Sequence, residues 1–95
     1  MYPQRNDSFL YTCKENFFLG IHPLSVDVIS LEGYQTLVEI SKAFFREGRY
    51  ELFLNYLQEG KYLCDVWAAH LILKFGNPDA SVLAECEKVI GRAEL

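Results

Sequence analysis

The stretch Lys61-Tyr62-Leu63-Cys64-Asp65-Val66-Trp67-Ala68-Ala69-His70-Leu71-Ile72-Leu73-Lys74-Phe75, closed by Gly76-Asn77-Pro78-Asp79, decides the fold class. Its apolar residues recur at helical spacing on more than one side, which predicts a helix over about 61–75 that is covered by neighbours all round. Only Lys61, Asp65, Lys74 and His70 are suited to meet water. After the turn, Val82, Leu83, Cys86, Val89, Ile90 and Ala93 trace a single stripe, with Glu85, Glu87, Lys88 and Arg92 elsewhere on the circumference. The second helix is therefore expected as an outer layer. Gly76 is suited to close the first helix in the left-handed conformation, Asn77 to cap the next, and Pro78 to occupy its first position.

Working towards the N-terminus, residues 31–46 repeat the pattern through Tyr34, Leu37, Val38, Ser41, Phe44 and Phe45, with Ser30 as cap and Glu32 in the first turn. Gly48 breaks this helix. Residues 50–58 follow with Leu52, Phe53, Tyr56 and Leu57 and end at Gly60. Connections this short between helices force neighbours to run antiparallel. Residues 1–30 read less clearly. Asn6-Asp7-Ser8 can cap a helix carrying Phe9, Leu10, Cys13, Phe17 and Phe18 up to Gly20, while Phe9-Leu10-Tyr11-Thr12-Cys13 also suits a strand; helix is the favoured reading. His22-Pro23 interrupts it, and Pro23 can open a short helical turn through Val28. The expected fold is all-α: one domain over 1–95, a small bundle of four to five antiparallel helices, with 31–95 forming the better-defined hairpins.

Composition supports one packed domain. Of the 95 residues, 51% are hydrophobic and 15% aromatic, which excludes a disordered chain. No apolar run approaches the roughly 18–20 residues of a membrane helix, and the first residues lack the basic-then-apolar order of a signal peptide, so a cytoplasmic protein is expected. The formal charge of −4 is shared evenly between the halves of the chain. Basic residues stand singly among carboxylates, which argues against a nucleic-acid partner.

Chemistry-bearing motifs are missing. Cys13, Cys64 and Cys86 have no metal-ligand or disulfide-framework spacing, so reduced and mostly buried thiols are expected. Cys64 and His70 lie about 600° apart around one helix and do not converge as nucleophile and base. No catalytic residue, metal site or cofactor is expected. His70 reads as a core-edge histidine bonded to a carbonyl or side chain where the hairpin packs. The glycines occur singly, without a phosphate-cradling pattern, and the aromatic residues fall at core spacings without basic interleaving.

The run Asp65-Val66-Trp67-Ala68-Ala69-His70-Leu71-Ile72-Leu73 with Gly76-Asn77-Pro78-Asp79-Ala80 and Val82-Leu83 resembles the central hairpin of short HEAT-like bacterial helical proteins, over residues 31–95. Members of that group are often immunity proteins, including those of contact-dependent growth inhibition. The resemblance implies stoichiometric 1:1 neutralisation of a cognate toxin domain, often a nuclease, with no catalysis and a monomer or weak dimer when free. An acidic inhibitor would meet a basic toxin cleft quickly. The candidate contact residues are Glu47, Tyr50, Glu51, Asn55, Tyr56, Glu59, Asp65, Asp79, Glu85 and Glu87. The competing expectation is a non-enzymatic adaptor or self-assembling unit that docks through exposed apolar surface.

Overall fold

The computed structural model describes residues 8–23 and 32–93. The described residues form five α-helices and no strand: α1 (Ser8–Phe18), α2 (Glu32–Arg46), α3 (Tyr50–Leu54), α4 (Cys64–Leu71) and α5 (Ala80–Ala93). A 3-10 turn, Asn55–Gln58, prolongs α3; another, Lys61–Leu63, leads into α4, and a wide π-type turn, Ile72–Gly76, follows it. The chain is an all-α bundle. The expected caps of α2 and the turn from Pro23 to Val28 fall on residues 24–31, outside the described residues.

Helix α4 lies at the centre, as its two-sided apolar pattern requires. Cys64, Trp67, Ala68, Ala69, Leu71 and Ile72 have no exposed surface. Two alanines on a buried helix allow its neighbours to approach closely. Helix α2 covers α4 with the stripe read from its sequence: Tyr34, Leu37, Val38, Ser41 and Phe44 are buried. Ser41 is tolerated there because its hydroxyl donates to the Val38 carbonyl at 2.9 Å. Tyr34 packs on Trp67 and His70, and Lys42 lies 4.9 Å over the Phe75 ring, so α2 and the α4 segment run in the same direction. Helix α5 is the outer layer; only Cys86 and Val89 of its stripe are fully buried, and Leu83 faces water.

Helix α1 runs antiparallel to α2. At one end Asn16 Nδ2 donates to the Gly33 carbonyl at 3.3 Å; at the other, Phe9 and Phe44 both pack on Phe53, with ring centroids 4.8 and 5.3 Å away. Phe53 also meets Phe45 and Tyr56. This ring cluster ties α1, α2 and α3 together.

Three local readings of the sequence are corrected. At the hairpin turn Asn77, not Gly76, takes the left-handed conformation (φ 51°). Asp79, not Asn77, caps α5: its Oδ1 accepts the Val82 N–H at 2.9 Å, which leaves Pro78 ahead of the helix instead of at its first position. Gly76 packs closely, because a Cβ there would stand 3.2 Å from the Tyr50 ring. The helix expected over 61–75 is not continuous. Tyr62 (φ 55°) and Leu63 (φ 60°) are left-handed, and regular helix begins at Cys64.

The third correction concerns α1. It is a helix, but its buried stripe is Phe9, Thr12, Cys13 and Asn16, and the expected core residues Phe17 and Phe18 point outward. The close approach at Gly33 selects this face. A Cβ on Gly33 would fall 2.2 Å from Asn16 Oδ1. Gly33→Ala is expected to displace the buried Asn16 amide and to cost about 1–3 kcal/mol, the range for overpacking and for orphaning a buried polar group. Equilibrium urea unfolding measures it, and Gly91→Ala, where the added Cβ meets nothing within 4 Å, serves as control.

Candidate functional site

The acidic candidates are distributed around α3, the turns and α5, and several already have structural tasks. Glu47 pairs with Arg49 at 3.5 Å, and Arg49 in turn lies 4.7 Å over the Phe44 ring. The backbone N–H of Lys61 points to a Glu59 carboxylate oxygen at 3.4 Å. The backbone of Asp65 donates to the Glu59 carbonyl, and its Oδ1 accepts the Val66 N–H at 2.8 Å. Asp79 is the α5 cap. Tyr56 is half-buried in the ring cluster against Phe9, Phe44 and Phe53. Glu85 is half-buried; Glu51, Asn55 and Glu87 are exposed.

One neighbourhood does gather candidates. Tyr50 is half-buried against Phe45, and its hydroxyl is enclosed with no hydrogen-bond partner among the described residues. Burial first, then the charges of Cys86, Asp79 and Glu51, push that phenol above its ordinary value. Tyr50 therefore sits within electrostatic range of both Glu51 and Asp79, with its ring beside Gly76 of the turn before α5.

A second surface was not among the candidates. Tyr11, Phe17, Phe18 and Leu19 are 61%, 48%, 70% and 73% exposed, unusual values for four large apolar side chains within nine positions. Tyr11, Lys14 and Phe18 share one side of α1 because residues three and seven apart on a helix lie above one another. Tyr62 completes the face: its ring centroid is 5.7 Å from Phe17 and 6.0 Å from Phe18, and Lys14 Nζ lies 5.9 Å from it. Two adjacent grooves run across the surface. One, about 280 Å³, is lined by Leu10, Tyr11, Lys14, Lys61 and Tyr62; the other, about 370 Å³, by Tyr11, Lys14, Glu15, Phe18 and Leu19. The left-handed backbone at Tyr62 and Leu63 is costly for side-chain-bearing residues, on the order of 1–2 kcal/mol each. Strain of this kind collects at functional positions, and here it carries the ring that joins Phe17 and Phe18.

The titratable groups of the interior are placed for packing. Tyr34 Oη and His70 Nε2 are 3.0 Å apart, the side-chain bond expected of a core-edge histidine. All three cysteines are free and buried. Burial and the neighbouring Cys64 thiol raise Cys13 far above its ordinary value, and burial with Glu85 and Glu87 pushes Cys86 up to about 11. Among the described residues no three His, Cys, Asp or Glu side chains gather closely enough to hold a metal ion, and no helix is long and apolar enough to cross a membrane.

Burial, and then the Lys74 charge, hold His70 below its usual 6.5. The unfolded chain therefore takes up this proton more readily than the folded one, so the contribution is fully present above about 6.5 and declines as pH falls towards the lower folded-state value. Melting temperature is expected to drop between pH 7 and pH 5, less steeply in His70→Gln. Equal slopes in the two proteins would contradict the assignment.

Compared with protein families, curated proteins and solved structures, the chain matches none.

Proposed function

We infer that this protein acts by stoichiometric docking on another protein, as a helical binding unit without turnover chemistry. The observation that carries this reading is the outward face of Tyr11, Phe17, Phe18 and Leu19 around Tyr62. Exposed apolar patches of this kind mark interaction surfaces, and aromatic anchors supply most of the energy of protein interfaces. Leaving them in water has no benefit for folding.

The toxin-neutralising form of the proposal uses a different surface, the acidic one. Its support is the neighbourhood of Tyr50, Glu51 and Asp79, where exposed carboxylates flank a phenol whose hydroxyl lacks a partner among the described residues. It fits a basic toxin domain through long-range attraction. A single experiment separates the two forms. The chain is coexpressed with the product of the adjacent reading frame, and copurification is compared between wild type, Phe18→Ser with Leu19→Ser, and Glu51→Lys with Asp79→Asn, the asparagine keeping the α5 cap. Loss of the 1:1 complex in the first pair alone supports docking through the aromatic face; loss in the second pair alone transfers the site to the acidic surface. Retention in both removes both surfaces from the interface.

A further inference from the structure

The aromatic face differs in charge from the molecule that carries it. The whole chain has a formal charge of −4, yet among the described residues the groove between α1 and the turn before α4 is lined by Lys14 and Lys61, with Glu15 on the far groove and the Glu59 carboxylate turned to the Lys61 backbone N–H. Both lysines are exposed. Lys14 Nζ is kept near the Tyr62 ring by cation–π attraction, which fixes an ammonium at the edge of the apolar surface. The local arrangement is thus rings in the middle and positive charge on one flank.

Size limits the occupant. With about 150–250 Å² available per aromatic side chain and these chains half to three-quarters exposed, the patch offers on the order of 400–500 Å². A specific interface between two folded proteins covers about 800 Å² on each partner. A second copy of this chain would also bring Lys14 and Lys61 towards their own counterparts across a two-fold axis. Phosphate-rich partners are disfavoured because two lysines on an acidic chain supply little counterion release. The grooves, about 280 and 370 Å³, lie just below and just above the low end of ligand-pocket sizes of about 300–1,000 Å³ and suit one or two inserted side chains.

Resting on the docking reading above, we propose that this face takes a short acidic, amphipathic segment of a partner protein: an aromatic or branched apolar side chain enters among Tyr11, Phe18 and Tyr62, and neighbouring carboxylates meet Lys14 and Lys61. Because a Debye length is about 10 Å at 0.1 M salt, these two contact-range cations govern the choice, and the distant net negative charge is screened.

Short random peptides displayed on phage, panned against the folded chain, test this, followed by titration of one synthetic consensus peptide. The expected consensus combines an apolar anchor with Asp or Glu beside it. Its affinity should fall about tenfold or more, about 1.4 kcal/mol, in Lys14→Glu with Lys61→Glu, and binding should disappear in Phe18→Ser, with circular dichroism unchanged in both. A consensus without acidic bias, or an affinity that the lysine reversals leave unchanged, overturns the acidic-segment proposal while the docking reading stands. Peptides retained equally by Phe18→Ser, or none retained at all, overturn the proposal; the coexpression result then decides the docking reading separately. Concentration-dependent self-association abolished by Phe18→Ser assigns the face to a second copy, and Phe18-dependent binding to phosphatidylglycerol vesicles assigns it to a lipid surface; either result overturns the proposal.

Discussion

Trp67→Ala is expected to lower unfolding free energy by about 3–5 kcal/mol, the range for truncating a buried aromatic residue. The indole has no exposed surface and packs beside the Tyr34 and His70 rings, so truncation leaves a void in the interior. Against a total stability on the order of 5–15 kcal/mol for a domain this size, the variant is left marginal or unfolded at room temperature. Trp67→Phe behaves differently. The indole Nε1 is buried without a hydrogen-bond partner among the described residues, and an orphaned donor costs about 1–3 kcal/mol. Phenylalanine removes that donor while keeping most of the ring contacts, so its net change is expected to stay within about 1–2 kcal/mol. Urea unfolding of both variants measures the contrast; similar losses in the two would show that the donor is satisfied.

Phe53→Ala should be comparably severe, again about 3–5 kcal/mol. Phe53 is fully buried, and its ring meets those of Phe9, Phe44, Phe45 and Tyr56 at centroid distances of 4.8, 5.3, 5.2 and 5.5 Å. Edge-to-face packing adds to the simple loss of buried area. Since the five rings come from α1, α2 and the α3 segment, their loss loosens three elements at once. Phe18→Ser, the same residue type on the opposite side of the economy of burial, is expected to change stability by no more than about 0.5 kcal/mol, as surface substitutions usually do. Thermal and urea unfolding of the two phenylalanine variants, side by side, check whether the division between core and face is correct.

The parts of the fold legible in the sequence are those where burial follows apolar spacing. The stripe of α2 from Tyr34 to Phe45, the central position of α4 and the outer position of α5 all follow from periodicity, because the residues that leave water there are the apolar ones apart from Ser41, whose hydroxyl bonds within its own helix. Helix α1 breaks that correspondence. It buries Thr12 and Asn16 and exposes Phe17 and Phe18, since Asn16 reaches the Gly33 carbonyl and only the missing Cβ of Gly33 admits it. A count of apolar residues assigns the rings to the core, and the aromatic face is lost from view. The signal available was the register Phe9, Thr12, Cys13, Asn16, an unbroken helical stripe once small polar residues are allowed inside.

The turns show a related limit. Gly76 and Asn77 both tolerate positive φ, so the sequence permits either to take it, and Asn77 is the one that does. Tyr62 and Leu63 carry no sequence mark of left-handed backbone. Apolar spacing therefore carries the helix through the junction before α4, where the backbone interrupts it. The acidic candidates were legible as surface residues, but Asp79, Asp65 and Glu59 turn out to hold backbone N–H groups, a task that spacing alone does not separate from partner contact.

Hydroxyl-radical footprinting of the isolated protein tests whether one set of rings packs the interior while another faces water. Rapid modification of Tyr11, Phe18 and Leu19 and strong protection of Phe9, Phe53 and Trp67 are expected. Protection of Tyr11 and Phe18 in the monomer, at the level of Phe53, would contradict this division.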